Sequence, residues 1–219
     1  MALANPIMDL RVLEGVKTVV FDCDGVLIDS YEANMRYYSA IKEQLDLPPL
    51  TESEKVFVHS RTHKDAVQHI VPEGQFDEAW KVVQNFDSTS LYQYLKRSEG
   101  IREFVWWLRD AGFRLAVNTS RGESIGFILN MMDLEGFFLP VISSEKVCAP
   151  KPHPEGLHTI MRDHDIEPHE LAYIGDSKVD ELAAQAAGVR FWAYKHSALR
   201  ADVHIESFWD IKAAMQRCY

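Results

Sequence analysis

The chain has 219 residues, enough for a core domain of ordinary size that carries a smaller inserted domain, and its 47% apolar content is sufficient for a packed core. A net charge of −10 argues against nucleic acid or an anionic membrane as partners, because both require clustered lysine and arginine, and it favours a metal cation. Cys23, Cys148 and Cys218 have neither the even number of a disulfide framework nor the spacing of a zinc site.

The first predicted strand ends at two carboxylates. Val19, Val20 and Phe21 form a continuous apolar run, which is typical of a strand buried on both faces, and Asp22 and Asp24 follow it. Residues i and i+2 of an extended chain point to the same side, so we expect both carboxylates to face one pocket. Two acids this close repel each other and need a cation or a shared proton.

The next block, residues 31–96, has helical patterns from end to end, and no strand is expected in it. Thr51 with Glu54 three residues later has the capping-box pattern of a helix start. The expected helices run from Tyr31 to about Leu45, from Thr51, from about Thr62 to Ile70 and from about Phe76 to Leu95. We therefore predict a helical domain at 31–96, inserted into a core domain formed by residues 1–30 and 97–219.

From residue 100 onward, predicted helices and strands alternate. The strands are FRLAVN, a short strand near Leu139 to Ile142, LAYIGD, VRFWAY and a last one around Ala201 to Ile205. The helices lie at IREFVWWLRDAG, from the start of TSRGESIGFILNMM, after PHP, at VDELAAQAAG and around Ser207 to Met215. This alternation predicts an α/β core with parallel strands joined by right-handed crossovers.

Polar residues follow several of these strands. The strand FRLAVN delivers Thr119 and Ser120, and LAYIGD delivers Asp176, with Asp180 one turn later. Lys151 stands before a proline at the entry to a helix. Because ligands bind beyond the carboxyl ends of parallel strands, we expect these side chains and the first-strand acids to form one site.

The residue types suit phosphoryl transfer. A carboxylate can attack a phosphate dianion only if the charge of the dianion is neutralised, and Mg²⁺ prefers oxygen ligands for that purpose. The expected ligands are the carboxylates of Asp22 and Asp176 and the backbone carbonyl of Asp24. Asp180 lies four residues after Asp176 on the same helix face and is expected at the metal directly or through water.

The remaining residues have expected roles around the phosphoryl group. Asp24 can protonate the leaving oxygen and then activate water, and a pKa raised by its neighbouring carboxylate suits that role. Thr119 can donate its hydroxyl and Ser120 its backbone N–H to phosphoryl oxygens. Lys151 can pair with Asp22 and with the phosphoryl group.

A basic cluster lies in the helical block at His59, Arg61, His63 and Lys64. Such a cluster is more often a solvated face than a ligand site. Its position in a turn that could reach over Asp22 makes His59 and Arg61 candidate substrate contacts. Arg121, directly after the phosphate loop, is a weaker candidate of the same kind.

The segments FDCDGVLIDS, AVNTS, APKPHP and YIGDSKVDELAAQAAG resemble, in this order, the four motifs of the haloacid dehalogenase superfamily. The resemblance is closest to the phosphoglycolate phosphatase and β-phosphoglucomutase branch, which has a helical cap between its first two motifs. It implies a Rossmann-like core, Mg²⁺ dependence, Asp22 as nucleophile and Asp24 as acid and base. It also implies phosphate contacts from Thr119 and Lys151 and a metal at Asp176 with Asp180.

The expected function is hydrolysis of a small phosphorylated metabolite through an aspartyl phosphate at Asp22. The first alternative is a phosphomutase, which returns the phosphoryl group to a sugar. Dehalogenation is disfavoured because it has no leaving oxygen for Asp24 to protonate, and phosphonate hydrolysis would require Lys55 or Lys64 in a dry setting. A non-catalytic binding module on the same fold would have no use for the acid at position 24.

The expected location is the cytoplasm. The segment MALANPIMDLRVLEG lacks the basic and apolar regions of a secretory signal, and no apolar run is long enough to cross a bilayer. The low cysteine content fits a reducing compartment.

Overall fold

A computed structural model describes residues 13–59, 63–122 and 124–218. Contacts divide the described residues into two compact units, one from residues 13–28 and 97–218, the other from Asp29–Lys96. The strands are β1 Thr18–Phe21, β2 Ile28–Asp29, β3 Lys96–Arg97, β4 Arg114–Asn118, β5 Val141–Ile142, β6 Leu171–Gly175, β7 Arg190–Tyr194 and β8 Val203–Ile205. The helices are α1 Tyr31–Gln44, α2 Glu52–His59, α3 His63–Ile70, α4 Phe76–Asn85, α5 Ile101–Asp110, α6 Ser124–Met131, α7 Glu155–His164, α8 Lys178–Ala187 and α9 Phe208–Met215. Within the described ranges, none of the helices has the length and apolar character needed to span a membrane.

The discontinuous unit contains a six-stranded sheet in the order β5-β4-β1-β6-β7-β8, and each of its strand pairings is parallel. Strand β1 lies between β4 and β6, with Phe21 level with Val117 and Ile174. The three strands therefore end side by side. The predicted α/β class with a Rossmann-like parallel sheet is confirmed.

Both faces of this sheet are covered, which explains the continuous apolar run of β1. Val20 is buried in a cluster with Leu157 of α7 and Ala183 of α8. The Phe21 ring, on the other face, makes an edge contact with the ring of Phe104 of α5 at 6.2 Å between centroids. Because side chains alternate along a strand, the residue after Phe21 faces the α7–α8 side of the sheet.

The unit Asp29–Lys96 has its own core, in which buried side chains of α1, α3 and α4 pack together, with partly buried side chains packed against them. Lys42 of α1, whose side chain is 6% exposed, forms an ion pair with Glu54 Oε1 at 2.7 Å. Glu54 Oε2 accepts the Thr51 backbone N–H at 2.7 Å, and Thr51 Oγ1 accepts the Glu54 N–H. The predicted capping box is thus confirmed, and the same glutamate also ties α2 to α1.

Two local predictions for this unit are wrong. The single helix expected from Phe76 to Leu95 is interrupted, because α4 ends at Asn85 and a 3₁₀ helix follows over Ser88–Tyr94. The Asp87 side chain accepts the Thr89 N–H and hydroxyl, a local bond that competes with helix continuation. Lys96, placed in a block without strands, begins β3, which pairs with β2 in a separate two-stranded sheet.

Candidate active site

The chain turns sharply after β1, and this turn shapes the site. Three successive N–H groups donate to the Cys23 carbonyl oxygen at 2.9–3.3 Å, and Gly25 has φ +74°, a conformation that favours glycine. A Cβ at position 25 would lie 1.8 Å from Asp176 Oδ2. Glycine is therefore required for the Asp176 carboxylate to approach the turn that carries Asp22 and Asp24.

Lys151 is the centre of a buried ion cluster. Its Nζ lies 2.8 Å from Asp22 Oδ1 and 2.6 Å from Asp180 Oδ1, and it donates to the Tyr173 hydroxyl at 3.1 Å. The side chains of Lys151, Asp22 and Asp180 are only 3%, 9% and 0% exposed. Chain segments that precede α7, follow β1 and begin α8 are thus joined at one buried cation.

Asp180 is fixed by the start of its own helix. It is the third residue of α8 and forms a capping box with Ser177, whose backbone N–H and hydroxyl both donate to Asp180 Oδ2. Its Oδ1 accepts from Lys151 and from the Tyr173 hydroxyl, each at 2.6 Å. These four hydrogen bonds use the four lone-pair positions of a carboxylate. Asp180 is therefore well placed to hold Lys151 in position.

Tyr173 is the site residue that sequence reasoning missed. Its hydroxyl donates to Asp180 Oδ1, accepts from Lys151 Nζ and lies 3.1 Å from the Asn118 carbonyl oxygen. The ring is fully buried in the core and belongs to the same cluster as Val20. One signal was present in the sequence, because a buried tyrosine hydroxyl normally requires a polar partner.

The pKa values of Asp22, Asp176 and Lys151 are all raised, mainly by burial in the two acids and by the neighbouring carboxylates in the lysine. Burial raises the pKa of Asp22 from 3.8 to about 7; the Lys151 charge opposes this shift, and the Asp180 charge adds to it. Burial and the charges of Asp22 and Asp180 raise the pKa of Asp176 well above its ordinary value. Burial lowers the pKa of Lys151, but the carboxylates of Asp180 and Asp22 outweigh burial and raise it overall. One lysine therefore does not neutralise all the acids.

The acids fit a divalent cation. Asp22, Asp176 and Asp180 each offer a carboxylate oxygen, and these oxygens lie within 4.8 Å of one another. Oxygen donors from a few carboxylates are what Mg²⁺ requires from a protein. Asp176 can approach the turn after β1 because residue 25 is glycine. Lys151 compensates the negative charge of Asp22 only in part.

Asp24 has a different partner, Arg121. Arg121 Nε donates to Asp24 Oδ2 and Nη2 donates to Asp24 Oδ1, each at 2.6 Å, in a two-pronged pair. The two side chains are 20% and 34% exposed. The cation that sequence reasoning proposed as a substrate contact is thus paired with the expected acid–base residue.

Thr119 and Ser120 follow β4 at the same edge of the sheet. Thr119 is 3% exposed, its N–H donates to the Ile142 carbonyl, and its Oγ1 accepts the Arg121 N–H at 3.1 Å. Ser120 is exposed. At the end of β4, a buried and hydrogen-bonded threonine is thus followed by a solvent-exposed serine.

The candidate substrate contacts of the helical block belong to the unit Asp29–Lys96. His59 is the last residue of α2, and Arg61 lies outside the described residues. His63 begins α3, where its ring lies 5.0 Å from the Tyr37 ring and 6.0 Å from that of Trp80. Substrate contacts from His59 and Arg61 remain predictions.

The comparisons with known proteins agree with this geometry. The family model of haloacid dehalogenase-like hydrolases matches residues 19–194. The phosphoglycolate phosphatase of Chromobacterium violaceum is 28% identical over 228 residues, covering 93% of this chain and 98% of that protein. The pyrophosphatase PpaX of Anoxybacillus flavithermus is 25% identical over 176 residues, covering 80% of this chain and 81% of that protein.

A solved structure is similar over almost the whole chain. It is a haloacid dehalogenase-superfamily hydrolase of subfamily IA, variant 1, from Geobacter sulfurreducens, with 34% identity and a TM-score of 0.77, covering 90% of this chain and 95% of that one. The chain belongs to the haloacid dehalogenase-like hydrolases. The predicted membership of this superfamily, in the branch that contains the phosphoglycolate phosphatases, and the prediction of a phosphatase-type hydrolase are confirmed.

Proposed function

We propose that this protein is a Mg²⁺-dependent phosphatase that hydrolyses a small phosphorylated metabolite through an aspartyl phosphate on Asp22. The observation that carries the proposal is the buried cluster in which Lys151 holds Asp22 beside Asp176 at the ends of β1 and β6. A carboxylate, a cation and further acids in one buried place have little structural value, because their desolvation is costly. They suit a reaction in which a phosphoryl group arrives there.

Asp22 is the proposed nucleophile. Lys151 fixes one oxygen of its carboxylate, so the side chain is held for attack on phosphorus, and the bond from phosphorus to the leaving oxygen breaks as the bond to Asp22 forms. Asp180 and Tyr173 hold Lys151 and thereby position the nucleophile. The Lys151 charge also stabilises the negative charge that spreads over the phosphoryl oxygens.

Asp24 is the proposed acid and base. It gives a proton to the leaving oxygen when the aspartyl phosphate forms, and it then takes a proton from the water that attacks phosphorus and releases Asp22. Asp24 follows Asp22 by two residues in the turn after β1. The Thr119 hydroxyl and the Ser120 N–H are the proposed donors to the phosphoryl oxygens.

Mg²⁺, when bound, supplies the positive charge that lets an anionic nucleophile approach an anionic substrate. We assign Asp22 and Asp176 as its carboxylate ligands, with the Asp24 backbone carbonyl as a third protein ligand. Asp180 acts on this site through water or through Lys151, since its oxygens already accept four hydrogen bonds.

The proposed substrate is small and anionic. The relatives reported above are named for phosphoglycolate and for pyrophosphate, and each of these compounds carries a second negative group on the part that leaves. We propose the same property for the substrate of this chain. We also propose that residues 31–96 form the cap domain and that His59 and Arg61 help to select the substrate there.

The test is hydrolysis of a panel of phosphomonoesters by the purified protein with Mg²⁺ and with a chelator, measured by phosphate release. We expect turnover of at least one small anionic phosphomonoester with Mg²⁺, and loss of turnover on chelation. Phosphate release that continues undiminished in the chelator would refute the metal dependence, and a protein inactive on the whole panel would refute the proposed function.

A further inference from the structure

We propose that Arg121 recognises the second negative group of the substrate. In this proposal the Asp24 carboxylate binds the Arg121 guanidinium in the free protein and is displaced from it when the substrate binds. This inference rests on the proposed function, and it assigns the residue that would recognise the carboxylate or second phosphate on the leaving part of the substrate. The arriving anion replaces the Asp24 carboxylate on the Arg121 guanidinium. Asp24 is then free to turn toward the leaving oxygen.

The first observation is the geometry of the pair. Arg121 contacts both oxygens of Asp24 through two different nitrogens, Nε and Nη2, at 2.6 Å each. This two-pronged arrangement suits any carboxylate or phosphate, and it is one that lysine cannot make. Arg121 therefore already holds a group of the chemical type that it would recognise.

The second observation is accessibility. The Arg121 and Asp24 side chains are 20% and 34% exposed, whereas the Lys151 cluster is nearly closed to solvent. Water can reach both partners of such a pair, so a dissolved anion can enter and replace one of them, which a buried pair does not allow. Among the site residues that the structure describes, Arg121 is the cation open to such an exchange.

The third observation is that the backbone of Arg121 is held on both sides. Its N–H donates to Thr119 Oγ1 at 3.1 Å, and its carbonyl oxygen accepts the Ser144 N–H at 3.0 Å. The base of the side chain is thus fixed beside the proposed phosphate-binding threonine. A recognition residue needs this rigidity, because a misplaced guanidinium would not separate similar substrates.

The position of the pair also identifies the part of the substrate that it would meet. Asp24, as the proposed acid, must face the leaving oxygen, so a guanidinium that touches both oxygens of Asp24 lies on the leaving-group side. A second anion close to the leaving oxygen is therefore the group that Arg121 would meet.

The experiment compares two substrates of nearly equal size, 2-phosphoglycolate and 2-hydroxyethyl phosphate, which differ in a carboxylate against a hydroxymethyl group. For the wild-type protein with Mg²⁺ we expect kcat/KM to be at least about tenfold higher for phosphoglycolate. In Arg121→Gln this ratio should fall by about tenfold or more, mostly through KM, and in Arg121→Lys it should fall severalfold. The control Arg162→Gln, at a 74% exposed side chain of α7, should keep the ratio.

Each outcome has a separate meaning. If wild type hydrolyses both compounds equally well, or if Arg121→Gln lowers kcat/KM for both by the same factor, this inference is wrong while the proposed function stands. If wild type hydrolyses no phosphomonoester with Mg²⁺, the proposed function itself is wrong. Should Arg121→Gln fail to fold, as judged by its thermal unfolding, the ratio in Arg121→Lys decides, and an unchanged ratio refutes the inference.

Discussion

The site has two pairs of opposite charge, and they are built differently. The Lys151 cluster is almost fully buried, and its lysine contacts two carboxylates and a tyrosine. The Arg121–Asp24 pair is partly exposed, and its two side chains come from positions 97 residues apart in the chain. Burial makes the first set rigid and strongly coupled, whereas solvent weakens the second.

In the proposed mechanism this difference separates two tasks, nucleophilic attack by Asp22 and proton transfer by Asp24. A nucleophile must be held in one geometry for every substrate, so a buried lysine with fixed partners suits it. An acid–base residue must serve two steps and must yield to different leaving groups, so an exchangeable partner suits it. Variants of the two pairs should therefore differ both in activity and in stability.

The largest effect is expected for Asp22→Asn. The amide has the same shape but is a far weaker nucleophile than the carboxylate, so we expect kcat to fall by about 10⁴-fold. The unfolding temperature should change little, because the substitution keeps the side-chain volume and Lys151 keeps Asp180 as its partner. Asp163→Asn, on the exposed face of α7, is the matched control and should retain wild-type kcat. Substantial phosphate release by Asp22→Asn would mean that another group attacks phosphorus.

The next effect is on Lys151. Lys151→Met leaves Asp22 and Asp180 buried without their cation, which should lower kcat by about a thousandfold and the free energy of unfolding by about 3 kcal/mol in a chelator. Denaturant unfolding at neutral pH measures the second quantity.

Arg121→Met is the comparison that sharpens this contrast. It removes the cation of the partly exposed Arg121–Asp24 pair and should lower the free energy of unfolding by about 1 kcal/mol, well below the loss expected for Lys151→Met. Equal losses of stability in the two variants would show that the open pair is as tightly coupled as the buried one. The distinction between a fixed and an exchangeable half of the site would then fail.

Sequence reasoning found most of the charged residues of both pairs, but it did not find the pairing of Arg121 with Asp24. The run from Val19 to Phe21 identifies a strand buried on both faces, and its end places Asp22 where other parallel strands end. Lys151 and Asp176 are found by the same argument, since each stands beside the end or start of a predicted element. Parallel topology alone brings such residues together.

Side-chain geometry sets the limit. The pairing of Arg121 with Asp24 depends on rotamers and on how the Arg121 backbone is anchored, and neither leaves a periodic signal. Tyr173 was missed because it stands in an apolar strand, where an aromatic ring is expected as core. The break after Asn85 came from one side chain, Asp87, whose local bonds prevail over helix propensity.

The pH dependence of stability tests the charge balance of the buried half. In the metal-free protein the pKa of Asp22 is raised from 3.8 to about 7, so the folded state keeps a proton that the unfolded chain loses. This contribution to stability is fully present below about pH 3.8 and is lost as the pH rises through about 7. Mg²⁺ favours the ionised carboxylate, so its stabilising effect should grow over the same interval.

The measurement is the unfolding temperature with millimolar Mg²⁺ and with a chelator, at pH about 5.5 and about 8. We expect an increase of several degrees at the higher pH and a much smaller one at the lower pH. Asp22→Asn, which has no proton to lose, should show a weaker dependence. An increase of equal size at both pH values would show that the metal does not depend on the ionisation of Asp22.

The smallest effect is expected for Tyr173→Phe, which tests whether the rigidity of the buried half matters for catalysis. The variant keeps the ring in the core and removes one hydroxyl that contacts Lys151 and Asp180. If Tyr173 positions the lysine, kcat should fall by about tenfold while KM stays nearly constant, because only the geometry of attack is affected. Tyr194→Phe removes the hydroxyl of another fully buried tyrosine, in β7, and serves as the control for a hydroxyl away from Lys151. A parallel loss in both variants would mean that core packing, rather than the hold on Lys151, sets the rate.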